Sequence, residues 1–449
     1  MGDELQKKYG LLTAIAMVVG IVIGAGVFFK AEKVLVATGG NLPQGILAWA
    51  LGGIIMIICA YVFATLATQY EKVNGVVDYA EATVGVKYGY LVGWFMAAIY
   101  YPTLTSVLAW VSARYTCVLL GWDIVGSEAM ALSGFYLIGI FALNALSPKL
   151  AGKFQVSTTM IKLIPLALMA IVGTIAGLSN GVLVTNFTSG VIADVSGNPL
   201  FTALVATAFA YEGWIIATSI NAELRDAKRN LPLALTFGTL FIALIYIFYY
   251  IGLAGAVPNS VVMQGGETGA KIAFNTLFSN LGGTVLFVVV VISCLGTLNG
   301  LMMGCTRGFY ALAARNKGLH PEIYKSIDVN TNMPSNAAIL GLLLSAMWLL
   351  YFFGANLAPV AWFGPFSFDS SELPIVTIYA MYIPIFIMMI KKERSLSIFK
   401  RFIMPALAIC ACLFMMTAAY YAHGQAVLYY LIIFAVIMAV GLMLNPRTE

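Results

Sequence analysis

Two ionisable side chains stand where the sequence offers them no water. Lys162 lies about eight residues inside an apolar run, and Glu212 sits within Phe209-Ala210-Tyr211-Glu212-Gly213-Trp214. A charge deep in such a run is costly and marks a functional position by default. The plainer alternative for Lys162 is a long stem that snorkels to an interface. Glu212 admits several roles: proton relay, cation-selecting group, ionic partner, cap on a helix end, or a carboxyl kept neutral by burial. A third feature is backbone chemistry. Gly20-Ile21-Val22-Ile23-Gly24-Ala25-Gly26 puts three glycines in seven apolar residues. Gly20 and Gly24 have the spacing of a small-residue packing face, but the same glycines suit an unwound stretch whose peptide groups are free to bind. Other chemistry is poorly supplied. The only histidines are His320 and His423, both expected in loops, and neither a metal-type histidine motif nor a serine–histidine pair is present. The six cysteines (Cys59, Cys117, Cys294, Cys305, Cys410, Cys412) lack metal-type pairing and are expected as small buried hydrophobes. No enzyme activity, metal or cofactor is implied.

The elements that position these residues follow from composition. The 449-residue chain is 61% hydrophobic and 10% charged, against roughly 25% charged in soluble domains. Too little polar side chain is available to cover a surface of that size with water. A disordered, collagenous or nucleic-acid-binding chain is excluded, and membrane lipid is the expected surroundings. Charge-free intervals run from Lys8 to Lys30, Lys33 to Glu71, Lys87 to Arg114, Glu128 to Lys149, Lys162 to Asp194, Arg229 to Glu267, Lys271 to Arg307 and Asp328 to Asp369. The interval from Arg401 to Arg447 is broken by His423-Gly424-Gln425 and reads as two spans. With segments near 198–222 and 372–390, about twelve helices of some 20 residues each are expected. The runs are continuous rather than alternating, which excludes a β-barrel.

Cation placement sets the expected orientation. Nineteen lysines and arginines, from Lys7 and Lys8 through Lys72, Lys149, Arg225, Arg315 and Lys391 to Arg447, fall at one set of ends and loops, against Lys30, Lys33 and Lys271 at the other. Both termini are therefore expected in the cytoplasm. Arg114 is expected to snorkel from the outer end of the third span. Met1 to Tyr9 shows no cleavable signal pattern, because the apolar run behind it continues as a full span.

Gly24 and Gly213 lie 189 residues apart, in the first and sixth spans. Glycine-interrupted spans at corresponding positions of two halves point to a binding site at the repeat interface. The partner break in the sixth span favours unwinding over packing for the first motif. The spacing suits two five-helix repeats of opposite orientation, residues 1–190 and 191–395, followed by two helices in 396–449.

The stretch Gly20 to Phe28 resembles the first-helix signature of the amino acid–polyamine–organocation superfamily. Phe209 to Trp214, the following Asn221-Ala222-Glu223-Leu224-Arg225-Asp226-Ala227-Lys228-Arg229-Asn230-Leu231-Pro232, and Ser293-Cys294-Leu295-Gly296-Thr297-Leu298-Asn299-Gly300 resemble its L-type amino acid transporter branch. The match runs in order over nearly the whole chain. It implies an all-α polytopic fold of the LeuT type with discontinuous helices 1 and 6. It also implies sodium-independent, obligatory exchange of small neutral L-amino acids such as alanine, serine and cysteine, by alternating access in a bacterial inner membrane. A proton-coupled symporter or a carrier of cationic or larger amino acids is the same-class alternative; a channel or membrane receptor is the different-class one.

The resemblance also implies a site. The amides of Gly24, Ala25 and Gly26 would take the substrate carboxylate, since freed N–H groups at a half-helix start suit an anion. The carbonyls of Val22 and Phe209 would take its ammonium, and Phe209, Tyr211, Glu212 and Gly213 would form the gate and pocket. Lys162 would stand where sodium-coupled relatives of this fold hold a cation, meeting carbonyls near Gly20 and Ile23 and the hydroxyls of Ser293 and Thr297. Animal members carry a cysteine between the third and fourth helices that binds a heavy subunit. Gly121-Trp122-Asp123-Ile124-Val125-Gly126-Ser127-Glu128 has none, so no disulfide-linked partner is expected.

Overall fold

The computed structural model describes residues 10–70, 75–195, 197–216, 224–331 and 333–445. Lys7, Lys8, Lys72, Arg447 and the Asn221-Ala222-Glu223 part of the sixth-span motif lie outside the described residues. The helices, in chain order, are α1 (Leu11–Val22), α2 (Ala25–Ala37), α3 (Leu42–Gln69), α4 (Gly75–Thr83), α5 (Val86–Leu120), α6 (Ser127–Leu146), α7 (Pro148–Ser179) and α8 (Val182–Thr188). They continue with α9 (Pro199–Tyr211), α10 (Ala227–Ala256), α11 (Asn259–Gly265), α12 (Glu267–Ala313), α13 (Pro321–Tyr324), α14 (Ser335–Asn356), α15 (Leu373–Lys392), α16 (Phe399–His423) and α17 (Ala426–Leu444).

Ten of these are long and apolar enough to cross a bilayer, and α1 with α2 makes an eleventh span bent by 50°. The protein is an all-α polytopic membrane protein. Against the expected twelve, the segment near 198–222 is an apolar helix of only 13 residues, α9, before its regular turns end at Tyr211. Side chains such as Phe135, Ile138, Leu431 and Val436 are exposed on the outer face, as lipid contact requires.

Local chemistry sets the ends. The Asn41 and Asn198 side chains accept from the Gln44 and Phe201 amides, and Pro43 and Pro199 occupy first-turn positions that need no donor. Helices α7 and α10 approach backbone to backbone: a Cβ on Gly173 would stand 2.3 Å from the Gly252 carbonyl, and one on Gly255 2.2 Å from the Gly173 carbonyl. Small residues permit this close crossing. A π-helical turn at Met96–Tyr100 inside α5 re-aims Tyr100 inward, the kind of local irregularity found at functional positions.

The charged outliers find partners rather than water. Lys30, expected in an outer loop, is inside α2 and only 2% exposed. Arg114, expected to snorkel, pairs with Glu267 at 2.6 Å and lies 4.7 Å from the Trp110 ring centre. Burial removes the water a snorkelling head would need, so a counter-charge replaces it. His423 is the last residue of α16 rather than a loop residue. Five cysteines are buried, but Cys410 is exposed, facing outward one turn from the apolar core.

Candidate functional site

Two interruptions of helix meet at one place. Between α1 and α2, Ile23 is extended (φ −66°, ψ 117°) and Gly24 is non-helical (φ −158°, ψ −148°). After α9, Glu212 is extended (φ −75°, ψ 161°) and Gly213 takes φ 103°, which only glycine adopts without strain. The two breaks touch. A Cβ on Gly26 would lie 2.7 Å from the Ala210 Cα and 3.3 Å from the Phe209 carbonyl oxygen, while one on Gly213 would lie 3.4 Å from the Ile21 carbonyl. Gly26→Ala is therefore expected to force α2 off α9, because the obstacle is backbone and cannot yield. Overpacking of this kind costs about 1–3 kcal/mol, read as a lowered thermal midpoint in detergent. An unchanged midpoint would contradict the contact.

A cavity of about 680 Å³ opens at this junction, lined by Gly20, Val22, Gly26, Tyr100, Phe209, Glu212, Gly213 and Thr297, and farther along by Arg307 and Arg315. It reaches Thr13, Val156, Met160 and Arg315, which are exposed or half-exposed. The other end is sealed in layers. Phe209 packs edge-on against Phe29 with ring centres 5.9 Å apart. The Lys30 ammonium sits 5.1 Å from both ring centres. Above it, Glu372 accepts from Lys30 Nζ at 2.6 Å through Oε1 and from His423 Nε2 at 3.0 Å through Oε2. Burial alone would raise the Glu372 carboxyl; the Lys30 ammonium, then His423, outweigh it and hold the group well below its ordinary value.

The residues singled out from sequence divide clearly. Gly24, Ala25 and Gly26 stand at the start of α2, but the Ala25 N–H already donates to Thr297 Oγ1 at 3.1 Å. The Val22 carbonyl accepts from the Tyr246 hydroxyl at 3.2 Å. Tyr211 points away from the cavity and donates to the Trp49 carbonyl at 2.9 Å, whereas Phe209, Glu212 and Gly213 line it. Lys162 is 1% exposed and donates to the Gly20 carbonyl. Among the described residues that is the one hydrogen bond of its side chain. Ile23, Ser293 and Thr297, expected beside it, do not bond it; the Thr297 hydroxyl donates instead to the Ser293 carbonyl at 2.9 Å, and the buried Ser293 hydroxyl has no partner among the described residues. Glu212 is 7% exposed and accepts from the Tyr100 hydroxyl at 2.5 Å, while among the described residues its Oε2 has no hydrogen-bond partner.

Sequence reasoning missed Tyr100, Tyr246, Lys30, Glu372 and His423. For Lys30 a signal existed: it follows Gly26 by four residues and so shares a helix face with the break. Nothing local marks Tyr100, Tyr246 or Glu372.

Peptide groups at two helix breaks, two of them held by the exchangeable hydroxyls of Thr297 and Tyr246, together with the Glu212 carboxylate and an aromatic roof, can grip both ends of a small zwitterion. The chain matches the family described as Amino acid permease over residues 9–442. It is 28% identical over 421 residues to the serine/threonine exchanger SteT of Bacillus subtilis (strain 168), covering 92% of this chain and 91% of that protein. It is 26% identical over 349 residues to the b(0,+)-type amino acid transporter 1 of Oryctolagus cuniculus, covering 77% and 70%. It is 22% identical over 342 residues to the cystine/glutamate transporter of Pongo abelii, covering 75% and 66%. Glycine-broken helices meeting at a cavity and a family match over nearly the whole length lead to one conclusion: the chain belongs to the amino acid permease family, as a multi-pass membrane transporter of amino acids of the L-type kind.

Proposed function

We propose that this protein is a sodium-independent exchanger of small neutral L-amino acids, alanine, serine and cysteine, in a bacterial inner membrane. The observation that carries this reading is the contact of the two helix breaks around Gly26, Phe209 and Gly213 at the closed end of one cavity. The Gly24 and Gly26 amides take the substrate carboxylate, with the Ala25 amide released if Thr297 turns away. The Phe209 carbonyl takes the ammonium, and the Val22 carbonyl joins it when Tyr246 yields. Phe209 roofs a pocket whose floor is the opposite break. Lys162 on the Gly20 carbonyl supplies a tethered cation where a diffusible one would otherwise be needed.

Alternating access needs the two breaks to belong to opposed repeats, residues 1–190 and 191–395, with 396–449 accessory. Both termini lie in the cytoplasm in this reading, so the cavity faces inward at Arg307 and Arg315. Cys117 is buried in α5, and the following turn has no thiol, which supports work without a disulfide-linked heavy subunit.

One observation favours a second reading. Glu212 carries a buried oxygen at the cavity wall that no described residue partners, and such a carboxylate attracts a cationic side chain or a proton. Proteoliposomes decide between the readings. Uptake of labelled alanine is expected to require internal amino acid, to survive replacement of sodium by choline, and to ignore a pH gradient. Uptake driven by the gradient without internal substrate would replace exchange by symport. Competition by arginine or lysine stronger than by serine, lost in Glu212→Gln, would establish the cationic reading.

A further inference from the structure

We propose that Arg307 is a second carboxylate-binding point, a waypoint for the amino acid between the helix breaks and the open end of the cavity. This rests on the transport reading above and adds a site to it.

The argument begins with length. One face of α12 lines the cavity from Thr297 through Gly300 and Gly304 to Arg307 and Ala311, and Arg315 lines it just beyond the helix end. At 1.5 Å per residue, Arg307 stands about 15 Å from Thr297. Thr297 marks the break, since its hydroxyl holds the Ala25 amide. A single amino acid is far shorter, with about 3.8 Å between neighbouring Cα atoms in a chain. A substrate held at the breaks therefore leaves most of this path empty.

Charge supplies the second step. Three other cations drawn into the helical body have counter-charges: Lys30 has Glu372, Arg114 has Glu267 and Arg315 has Asp78, while Lys162, which does not line the cavity, is spent on the Gly20 carbonyl. Arg307 has no carboxylate among the described residues. Its Nη1 donates to the Met303 carbonyl of its own helix at 3.2 Å, and its Nη2 lies 3.8 Å from Met333 Sδ, a weak neutral acceptor. A guanidinium carries five N–H donors in a planar fork that matches a carboxylate. Left facing a mostly apolar cavity with donors to spare, it is an incomplete ion pair, and every amino acid on the path brings the missing half. Charge-assisted hydrogen bonds are about twice as strong as neutral ones, enough for a weak, readily released stop. Tight binding there would slow passage.

The test compares wild type, Arg307→Gln and Arg307→Lys in proteoliposomes, with alanine presented in turn at the face onto which the cavity opens and at the opposite face. Arg307→Gln is expected to raise KM at the cavity face about tenfold, with kcat changed less than threefold and KM at the opposite face unmoved; Arg307→Lys keeps part of the wild-type KM. Crystals soaked in 3-bromopropionate, a carboxylate without an ammonium, are expected to show bromine anomalous density beside Arg307 that the Gln variant loses. Density absent from the wild type, or KM shifting equally at both faces, would overturn the proposal and leave Arg307 as a strut for α12. The soak does not depend on transport. Wild-type protein that fails to carry alanine but binds bromopropionate at Arg307 would refute the exchange reading alone.

Discussion

Lys162→Ala is expected to reduce exchange by at least tenfold, more than any other single change near the first break. The ammonium is buried between α7 and α1, and its bond to the Gly20 carbonyl is the one polar tie described between them at that depth. Gly20 can approach so closely because it has no side chain; a Cβ there would lie 2.2 Å from Thr159 Cγ2. Truncation leaves the Gly20 carbonyl without its partner, a loss of about 1–3 kcal/mol, and leaves a lysine-sized void besides. Since α1 ends two residues later, at Val22 before the break, the slack falls on the segment that must hold the substrate. Lys162→Met separates packing from charge, because it fills the void without an ammonium. If Met restores uptake to the wild-type rate, the tether is mechanical filler and the cation has no part in transport. If both variants transport normally in both directions, the tethered-cation role is lost altogether.

Glu372→Gln is the second large effect expected, at the sealed end of the cavity. Lys30 is 2% exposed and Glu372 7%, so neither can fall back on water. Removing one partner of a buried ion pair costs about 3–5 kcal/mol, because the other charge is left unsatisfied. At 1.4 kcal/mol per tenfold, that is a shift of about two to three and a half orders of magnitude away from the sealed arrangement. Glu372 belongs to the turn before α15 and His423 to the end of α16, whereas Lys30 belongs to α2. The pair thus joins the half-helix after the break to two helices that carry none of the binding groups. Uptake and thermal midpoint are both expected to fall in Glu372→Gln and in Lys30→Met. The double variant, Lys30→Met with Glu372→Met, recovers much of the stability, since two apolar groups in contact leave no charge stranded. If uptake per folded molecule stays at the wild-type level in the single variants, the pair stabilises the fold and does not govern access.

The two glycine-interrupted stretches were legible before any coordinates because each carries its cause locally. Gly24 and Gly213 are residues that regular helix does not favour, in apolar surroundings that otherwise demand it, and both mark real breaks. The membrane class was legible for a global reason: 10% charge cannot clothe 449 residues in water. Lys162 was legible as an outlier, and its Gly20 partner was anticipated through family resemblance rather than spacing. Its other expected neighbours were not found in bonding reach. Whether the Thr297 hydroxyl meets an ammonium or the Ser293 carbonyl one turn back depends on how α7 and α12 cross, which residue types do not encode.

What the sequence by itself determined is which residues are out of place: a glycine where helix should continue, a charge where lipid should be, a chain too apolar for water. These are properties of single positions and local windows. Tertiary structure alone decided who answers each of them. Tyr100 meets Glu212 across 112 residues, Tyr246 meets Val22 across 224, and Lys30 meets Glu372 across 342. Such pairings depend on where whole helices cross, and close packing of α2 on α9 and α7 on α10 fixes those crossings through many small contacts at once. That is why Tyr211, one residue from Glu212, turns to Trp49 while its neighbour faces the cavity.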